Sequence, residues 1–347
     1  MNLTDEQFGK DSQDSSTREA LVPRRAFHFV DIFRVRESGT IIALLIICVF
    51  LATTTKSFLL PLNLVNVLRQ MSEISIIAVG MTFLIITAEF DLSVGSMYGL
   101  GAVVTGILVR DYGWNMWASF ALSLVLAAAV GLFNGTLTTK VKIPSFIVTL
   151  GMLSVLRGAA LVIAEGYPVA EYPDSSFFDV FASRLFGFLP TQVLWMLLIN
   201  IIGSIVLSRF VFGYHVYSTG SNMRATMLSG INTDWVKIRC FMITSVLAAF
   251  SGGLMLAHLS SAGPLAGTGM ELDVIAAVVI GGTALAGGSG SVLGTFLGAA
   301  IMSVLRNGLV LLGVSAYWQQ GIIGAVIIVA VVIDTLSKRS ALFERRS

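Results

Sequence analysis

Apolar runs long enough to cross a lipid bilayer recur along most of the chain. A membrane-spanning helix needs about 20 apolar residues, whereas a water-soluble domain carries roughly 25% charged residues. Only 12% of these 347 residues are charged and 55% are hydrophobic, with a mean hydropathy of +0.85. Because the polar surface is too small for a soluble domain, the sequence predicts an all-α polytopic membrane protein.

The apolar runs predict about ten membrane segments in a domain that spans residues 39–336, between tails at 1–38 and 337–347. The segments lie near 39–55, 74–88, 93–109, 115–138, 144–164, 192–212, 240–258, 272–286, 289–312 and 318–336. The segments at 74–88 and 272–286 are shorter than a full crossing requires. Residues 59–71 have an apolar helical face, so they either lie at the membrane interface or begin the second segment.

Basic residues predict the orientation of these segments. Sixteen Lys and Arg residues fall in the tails and loops on one side, against Lys56, Arg69, Arg110 and Arg184 on the other. Since Lys and Arg concentrate in cytoplasmic loops, both termini are predicted to be cytoplasmic, as an even number of crossings requires.

Ten segments in two groups of five would form an inverted repeat, because an odd number of crossings reverses the second half. Glu89-Phe90-Asp91-Leu92 precedes the third segment, and Glu271-Leu272-Asp273-Val274 opens its counterpart, the eighth. Paired interruptions at equivalent positions favour a transport pathway between the halves. The alternative is a chance match of four residues.

Glycines interrupt the apolar stretch 275–307 and then recur at every fourth position. A bare stripe on a helix lets another backbone approach closely, whereas a cluster of glycines does not continue a helix. The sequence therefore predicts two membrane helices joined by a glycine-rich break, and the alternative is an ordinary tight turn. The glycines predicted to serve helix packing are Gly281, Gly282, Gly287, Gly288, Gly290, Gly294 and Gly298.

Several kinds of chemistry have no support in the sequence. It contains neither the G-x-x-x-x-G-K-[ST] phosphate loop nor the G-x-S-x-G nucleophile elbow, and its glycines lack the G-x-G-x-x-G spacing. The three histidines are scattered, so no metal site is predicted. The net charge of +2 comes from basic residues spread over loops, which does not favour nucleic acid as a partner. We therefore predict neither catalytic residues nor a cofactor.

Ionisable residues at membrane depth are the next candidates, because burying charge is costly and usually marks function. Glu89, Asp91, Arg157 and Arg306 lie at such depths, with Asp273 nearer an interface. The two arginines could instead snorkel or pair inside the protein, and Asp91 could cap the third helix. Acidic residues in a broken helix pair could also bind H⁺ or Na⁺, which leaves an ion-coupled transporter as an alternative function.

The segment 213–239 is predicted to be a long cytoplasmic loop that contains a short helix at Met223–Leu228. Ala225, Met227 and Leu228 give this helix a small apolar face, which needs either a partner protein or the membrane surface to cover it.

Five stretches together resemble the permease subunit of ribose-type monosaccharide importers of the ATP-binding cassette (ABC) class. In order they are AVGMTFLIITAEFDLSVGS (78–96), IPSFIVTLGMLSVLRG (143–158), STGSNMRATMLSGIN (218–232), ELDVIAAVVIGGTALAGGSGSVLGT (271–295) and NGLVLLG (307–313). The resemblance covers residues 40–336 and specifies the permease family far better than the substrate. One departure is Glu89, where many relatives have glycine, so this charge is interpreted as a feature of the cargo or the gate.

The resemblance implies a permease in the bacterial inner membrane that carries a monosaccharide or related polyol and catalyses no reaction itself. Its implied partners are a second permease copy, two cytoplasmic ATPase domains that use ATP, and a periplasmic solute-binding protein facing the acidic segment 165–190. The residues predicted to line the pathway or the broken helices are Glu89, Asp91, Ser93, Ser145, Phe146, Arg157, Glu271, Asp273 and Thr283. Implied ATPase-coupling residues are Gly220, Asn222, Arg224, Ala225, Leu228, Ser229, Gly230 and Ile231. A membrane-embedded enzyme, the third class of function, lacks a cluster of nucleophile, base and orienting group.

Overall fold

The computed structural model describes residues 38–315, 317–326, 328, 329 and 332, so both predicted tails lie outside the described residues except for Ser38. Residues 317–326 are helical and follow the helix that ends at Leu311. The bounded helices are α1 (Ser38–Thr54), α2 (Pro61–Ile86), α3 (Val94–Arg110), α4 (Met116–Thr139), α5 (Ser145–Ile163), α6 (Ser176–Ala182), α7 (Thr191–Arg209), α8 (Val211–Ser221), α9 (Met223–Leu228), α10 (Thr233–Leu259), α11 (Met270–Ile280) and α12 (Val292–Leu311).

Four two-residue strands lie in the connections between helices. β1 (Val169–Ala170) pairs antiparallel with β4 (Ser261–Ala262), and β2 (Arg184–Leu185) pairs antiparallel with β3 (Leu189–Pro190). The first pair ties the segment after α5 to the end of α10.

Six described helices are long and apolar enough to cross a membrane, namely α2, α4, α5, α7, α10 and α12. The apolar helices α1 and α3 are shorter, at 17 residues each. The prediction of an all-α polytopic membrane protein is confirmed, whereas the six helices do not establish ten crossings. The tenth predicted segment, 318–336, lies partly outside the described residues.

The second and eighth predicted segments differ from the observed helices. Residues 61–71 begin α2, which is continuous over 26 residues and has Pro61 at its start, where its missing N–H costs no hydrogen bond. By contrast, α11 has only 11 residues and rises about 16 Å, roughly half of a bilayer core. The predicted segment 272–286 is therefore helical over only part of its length, up to Ile280. Gly282, with φ +86°, stops α11 early.

The predicted loop 213–239 is mostly helical in the structure. It contains most of α8, all of α9 and the start of α10. The side chain of Asn222 caps α9 by accepting a hydrogen bond from Ala225 N, and that of Asn232 caps α10 by accepting one from Trp235 N. Such caps satisfy free backbone N–H groups in the first turn of each helix and stabilise its start.

The antiparallel pair α2 and α10 forms the centre of the helical domain. Of the most apolar 18 residues in each helix, 83% are buried in α2 and 72% in α10, compared with 22% in α5. Ser251 Oγ donates to the Glu73 carbonyl oxygen at 3.0 Å, and Gly80 lies against the backbone of Thr244. Because α10 follows α9 directly, we call the end of the domain where α2 finishes and α10 begins the α9 end, and the other the opposite end.

The glycine-rich break between α11 and α12 reaches the α9 end. Gly288 N donates to the Ile86 carbonyl oxygen at 2.8 Å, and Tyr217 OH donates to the Gly290 carbonyl oxygen at 2.8 Å. Residues 260–269 follow α10 at the opposite end, so α11 and the break together run from one end of the domain to the other.

Two glycines of α12 let it pack backbone to backbone against α11. A Cβ atom on Gly298 would overlap the carbonyl oxygen of Ala277, and one on Gly294 would overlap that of Gly281. The four-residue spacing thus faces a neighbouring helix backbone, the geometry in which small residues replace side-chain packing in membranes.

We predict that Gly298→Ala destabilises the protein by about 1–3 kcal/mol, because the added methyl group must displace the α11 backbone. Gly151→Ala on α5 is the matched control, since a Cβ atom there meets nothing within 4 Å. In a helix the control exchange is neutral or stabilising. Thermal unfolding of both purified variants measures the difference, and equal midpoints would contradict this packing.

Candidate functional site

The segment between α2 and α3 is tied to α10 by a largely buried ion pair. Lys237 Nζ lies 2.6 Å from Glu89 Oε1, and the two side chains are only 11% and 15% exposed. Lys237 lies in the second turn of α10, close to the α9 end. Glu89, interpreted from the sequence as a feature of cargo or gate, thus has a fixed cationic partner in the structure.

Asp91 shapes the turn that leads into α3. Its Oδ1 atom accepts hydrogen bonds from Ser93 N at 2.8 Å and Ser93 Oγ at 2.5 Å. Ser93 itself occupies the N-cap position, so the prediction that Asp91 caps the third helix is wrong by two residues. Asn134 Nδ2 donates to Ser93 Oγ at 3.2 Å, which joins this turn to α4.

Ser145 and Phe146 at the start of α5 have different surroundings. Ser145 Oγ accepts a hydrogen bond from Phe90 N at 3.3 Å, so it holds the same α2–α3 segment. The neighbouring Phe146 side chain is 57% exposed and lies on the surface of the described chain. Of this predicted pair, Ser145 therefore belongs to the segment around Asp91, and Phe146 does not.

Arg157 binds backbone carbonyl groups in the connection between α10 and α11. Its Nη1 atom donates to the Pro264 carbonyl oxygen at 2.9 Å and to the Ala266 carbonyl oxygen at 2.7 Å. The Glu271 carboxylate, from the first turn of α11, lies against Gly95 at the start of α3. The alternative that Arg157 pairs inside the protein agrees with these contacts, and snorkelling does not.

The remaining predicted pathway residues lie in α11 and in the break that follows it. Asp273 is buried, and its Oδ2 atom lies 2.5 Å from Arg306 Nη2 on α12. Thr283 is buried beside Gly290 in the glycine-rich break. The nine predicted residues are thus distributed along the domain and do not converge on one site.

The predicted coupling helix is present as α9 and is held firmly on the domain. Thr226 faces inward, and its Oγ1 atom donates to the Ser218 carbonyl oxygen at 2.8 Å. Ala225, Met227 and Leu228 face outward, and Leu228 is 90% exposed. The small apolar face predicted from the sequence is therefore uncovered in the described chain.

The other predicted coupling residues divide between surface and interior. Arg224, Ser229 and Gly230 are exposed, and Gly230 has φ +83° after the end of α9. Gly220 instead packs on the Ile86 carbonyl oxygen, where a Cβ atom would overlap it. Ile231 packs partly buried against the core. Gly220 thus joins the helix before α9 to the end of α2 and does not face a partner.

A cavity of about 530 Å³ that is lined in part by polar side chains lies at the opposite end, and we call it the polar chamber. It is bounded by α2, α3, α10 and α12, and sequence reasoning missed it. The positions 63, 66, 70 and 73 follow helical spacing along one face of α2, which was the available signal. The polar side chains that line the chamber are Asn63, Asn66, Arg69, Gln70, Glu73, Tyr98, His258 and Asn307.

Most polar groups of the chamber bind one another. Arg69 Nη1 lies 2.9 Å from His258 Nε2, and Tyr98 OH donates to Glu73 Oε2 at 2.8 Å. The side-chain amides of Asn63 and Asn307 exchange two hydrogen bonds, of 3.0 and 2.8 Å. Three pairs of side chains thus connect α2 to α10, α3 and α12 around the chamber.

Comparison with known proteins identifies the family to which this helical chain belongs. Residues 63–331, well over half of the chain, match the family described as the branched-chain amino acid transport system / permease component. The chain belongs to this family of transport permeases. It is therefore a multi-pass transport protein and not an enzyme.

Three relatives of this chain are named for sugar transport. The ribose import permease protein RbsC of Escherichia coli strain K12 is 41% identical over 302 residues, covering 86% of this chain and 93% of that protein. The protein of the same name from Bacillus subtilis strain 168 is 37% identical over 326 residues, covering 94% and 99%. The xylose transport system permease protein XylH of Escherichia coli strain K12 is 34% identical over 349 residues, covering 84% and 89%. No solved structure matches the chain.

We predict that Glu89→Gln destabilises this permease by up to roughly 3–5 kcal/mol, because it leaves the Lys237 ammonium buried without a counter-charge. Adding Lys237→Met removes that unpaired charge, so the double variant should recover most of the lost stability. Thermal unfolding of the two single variants and the double variant gives the coupling energy. Additive losses in the double variant would show that the pair contributes nothing.

Proposed function

We propose that this chain is the membrane-spanning permease subunit of an ATP-driven importer for a monosaccharide or a related polyol. The substrate class rests on the relatives that are named for ribose and xylose. The chain itself breaks no chemical bond; it exposes a pathway alternately to the two sides of the membrane, and partner subunits hydrolyse ATP.

The proposal that ATP hydrolysis is coupled to transport rests on the position of α9. Its exposed apolar face projects from the domain. The residues just before α9 contact the end of α2 and the glycine-rich break. Gly220 touches the Ile86 carbonyl group, and Ser221 Oγ donates to the Gly288 carbonyl oxygen at 3.4 Å. A subunit that grips α9 and moves when it binds nucleotide would therefore displace the end of α2 and the glycine-rich break directly.

The ion pair of Glu89 and Lys237 gives a second connection to the same region. Residues 229–232 join α9 to α10, and Lys237 lies one turn beyond that junction. A displacement of α9 would reach the α2–α3 segment through this pair. In this mechanism Glu89 attaches the α2–α3 segment to α10 and does not carry a proton.

The proposed assembly has two copies of the permease around one pathway in the bacterial inner membrane, with both termini in the cytoplasm. Each copy has ten crossings in two inverted halves, and α11 with the glycine-rich break forms the eighth. Two ATPase domains bind at the α9 end. A solute-binding protein binds at the opposite end, where Glu171, Asp174 and Asp179 line an open groove of about 930 Å³.

Sugar uptake into membrane vesicles tests this function. Vesicles that contain the chain, its ATPase and its binding protein should accumulate sugar when ATP is supplied and continue to do so with an uncoupler. The alternative of an ion-coupled transporter predicts the reverse, because its uptake follows the gradient. Uptake that collapses with the uncoupler and ignores ATP would overturn the proposal.

We predict that Ala225→Glu on α9 lowers both ATPase co-purification and uptake by at least about tenfold, since it places a charge on the apolar docking face. The loss corresponds to about 1.4 kcal/mol or more of binding free energy. Ala118→Glu is the matched control, because Ala118 is also an exposed third residue of a helix but lies at the opposite end.

Both measurements are made at equal abundance in the membrane. The control should keep the full complement of ATPase and normal uptake. An Ala225→Glu protein that also keeps both would refute the docking role, as expected for a helix that only rests on lipid.

A further inference from the structure

The polar chamber continues into a second cavity of about 290 Å³. Gln70, Glu73 and Tyr98 line both, and the second is bounded by Asp273 and Arg306. Volumes of about 300–1,000 Å³ are typical of sites for small molecules. The two cavities therefore form a space of suitable size, partly lined by polar side chains, next to the central helices.

The ionisable side chains around this space each contact another polar side chain. Arg69 contacts His258 and donates to Asn66 Oδ1 at 3.3 Å, and Glu73 accepts from Tyr98. The carboxylate of Asp273 is paired with Arg306. A neutral solute can enter this space without disturbing the Asp273–Arg306 ion pair.

Gln70 is the polar side chain best placed to meet a solute. It is exposed, lines both cavities and forms no hydrogen bond with any residue in the described part of the chain. Its amide offers two donors and one acceptor oxygen, which match hydroxyl groups that both donate and accept. The second carboxylate oxygen of Glu73, one turn away, can accept a further hydroxyl.

We propose that the polar chamber is a binding site for a neutral polyhydroxylated solute on its way through the permease, with Gln70 as a specificity-determining residue. This inference rests on the proposed function and adds to it the place of solute contact. A site that hydrogen-bonds hydroxyl groups discriminates strongly between solutes that differ in their placement, because a missing partner leaves polar groups unpaired.

The experiment compares saturating ATP-driven uptake of D-ribose and D-xylose in vesicles that hold the complete transporter. Gln70→Leu keeps the side-chain volume and removes the hydrogen bonds, so it should lower uptake about three- to tenfold and change the ribose-to-xylose ratio. Gln70→Asn keeps an amide and should restore part of the rate. Leu64→Ala, on α2 but outside the chamber, should leave rates and ratio unchanged.

A labelling measurement tests contact directly. In a Cys48→Ala background, with Cys240 buried, Gln70→Cys should react with a methanethiosulfonate reagent. Sugar present during ATP-driven turnover should slow that reaction several-fold, and L-leucine should not. An unchanged uptake ratio together with equal labelling with and without sugar would overturn the site, and protection by L-leucine alone would reject a polyol site. Failure of the wild-type vesicles to take up either sugar would instead overturn the proposed function.

Discussion

The structure depends on satisfying backbone hydrogen-bonding groups wherever a helix is broken inside an apolar domain. A bilayer core offers no water to free N–H and C=O groups, so irregular backbone is tolerated only where protein provides partners. The break between α11 and α12 obtains them from two other elements: Gly288 N binds the end of α2, and the Gly290 carbonyl group binds Tyr217 of α8. Because each partner lies on a different helix, the break fixes the positions of those helices relative to one another.

The same requirement explains why glycine and charge occur together at the α9 end. Glycines let the backbones of α8, α11 and α12 come close enough for direct contact, as Gly220 does at the Ile86 carbonyl group. Close backbone contacts at glycine do not hold the α2–α3 segment by themselves. The Lys237–Glu89 pair and the Asp91–Ser93 turn also hold it. Apart from the local Asp91–Ser93 turn, the order of this region therefore depends on contacts between residues that are far apart in the sequence.

That distinction also explains which features could be predicted from the sequence. Apolar length indicates most of the membrane segments, and the glycine-rich break follows from its composition. The short helix α9 was predicted with its correct bounds, Met223–Leu228, because its apolar face is local. Lys237 as the partner of Glu89 could not be predicted, since 148 residues separate them and neither neighbourhood encodes the pairing. The half-length of α11 was missed because Ala284 and Leu285 prolong the apolar run beyond the glycine that ends the helix. Helical periodicity could have predicted the polar face of α2. The apolar residues on the other side of the same segment dominated the pattern, so the polar face was missed.

The continuity of α2 has a mechanical consequence. Its 26 residues contain no internal proline, so it behaves as one rod about 39 Å long. Ile86 at one end of this rod touches the structures beside α9, and Asn63 near the other end lines the polar chamber. A tilt of only about 5° about one end would shift the other by roughly 3 Å, comparable to the length of a hydrogen bond. With α2 as a lever, a small movement at the proposed docking surface on α9 would become a change in which hydrogen bonds can form at the far end, with no need for successive rearrangements between them.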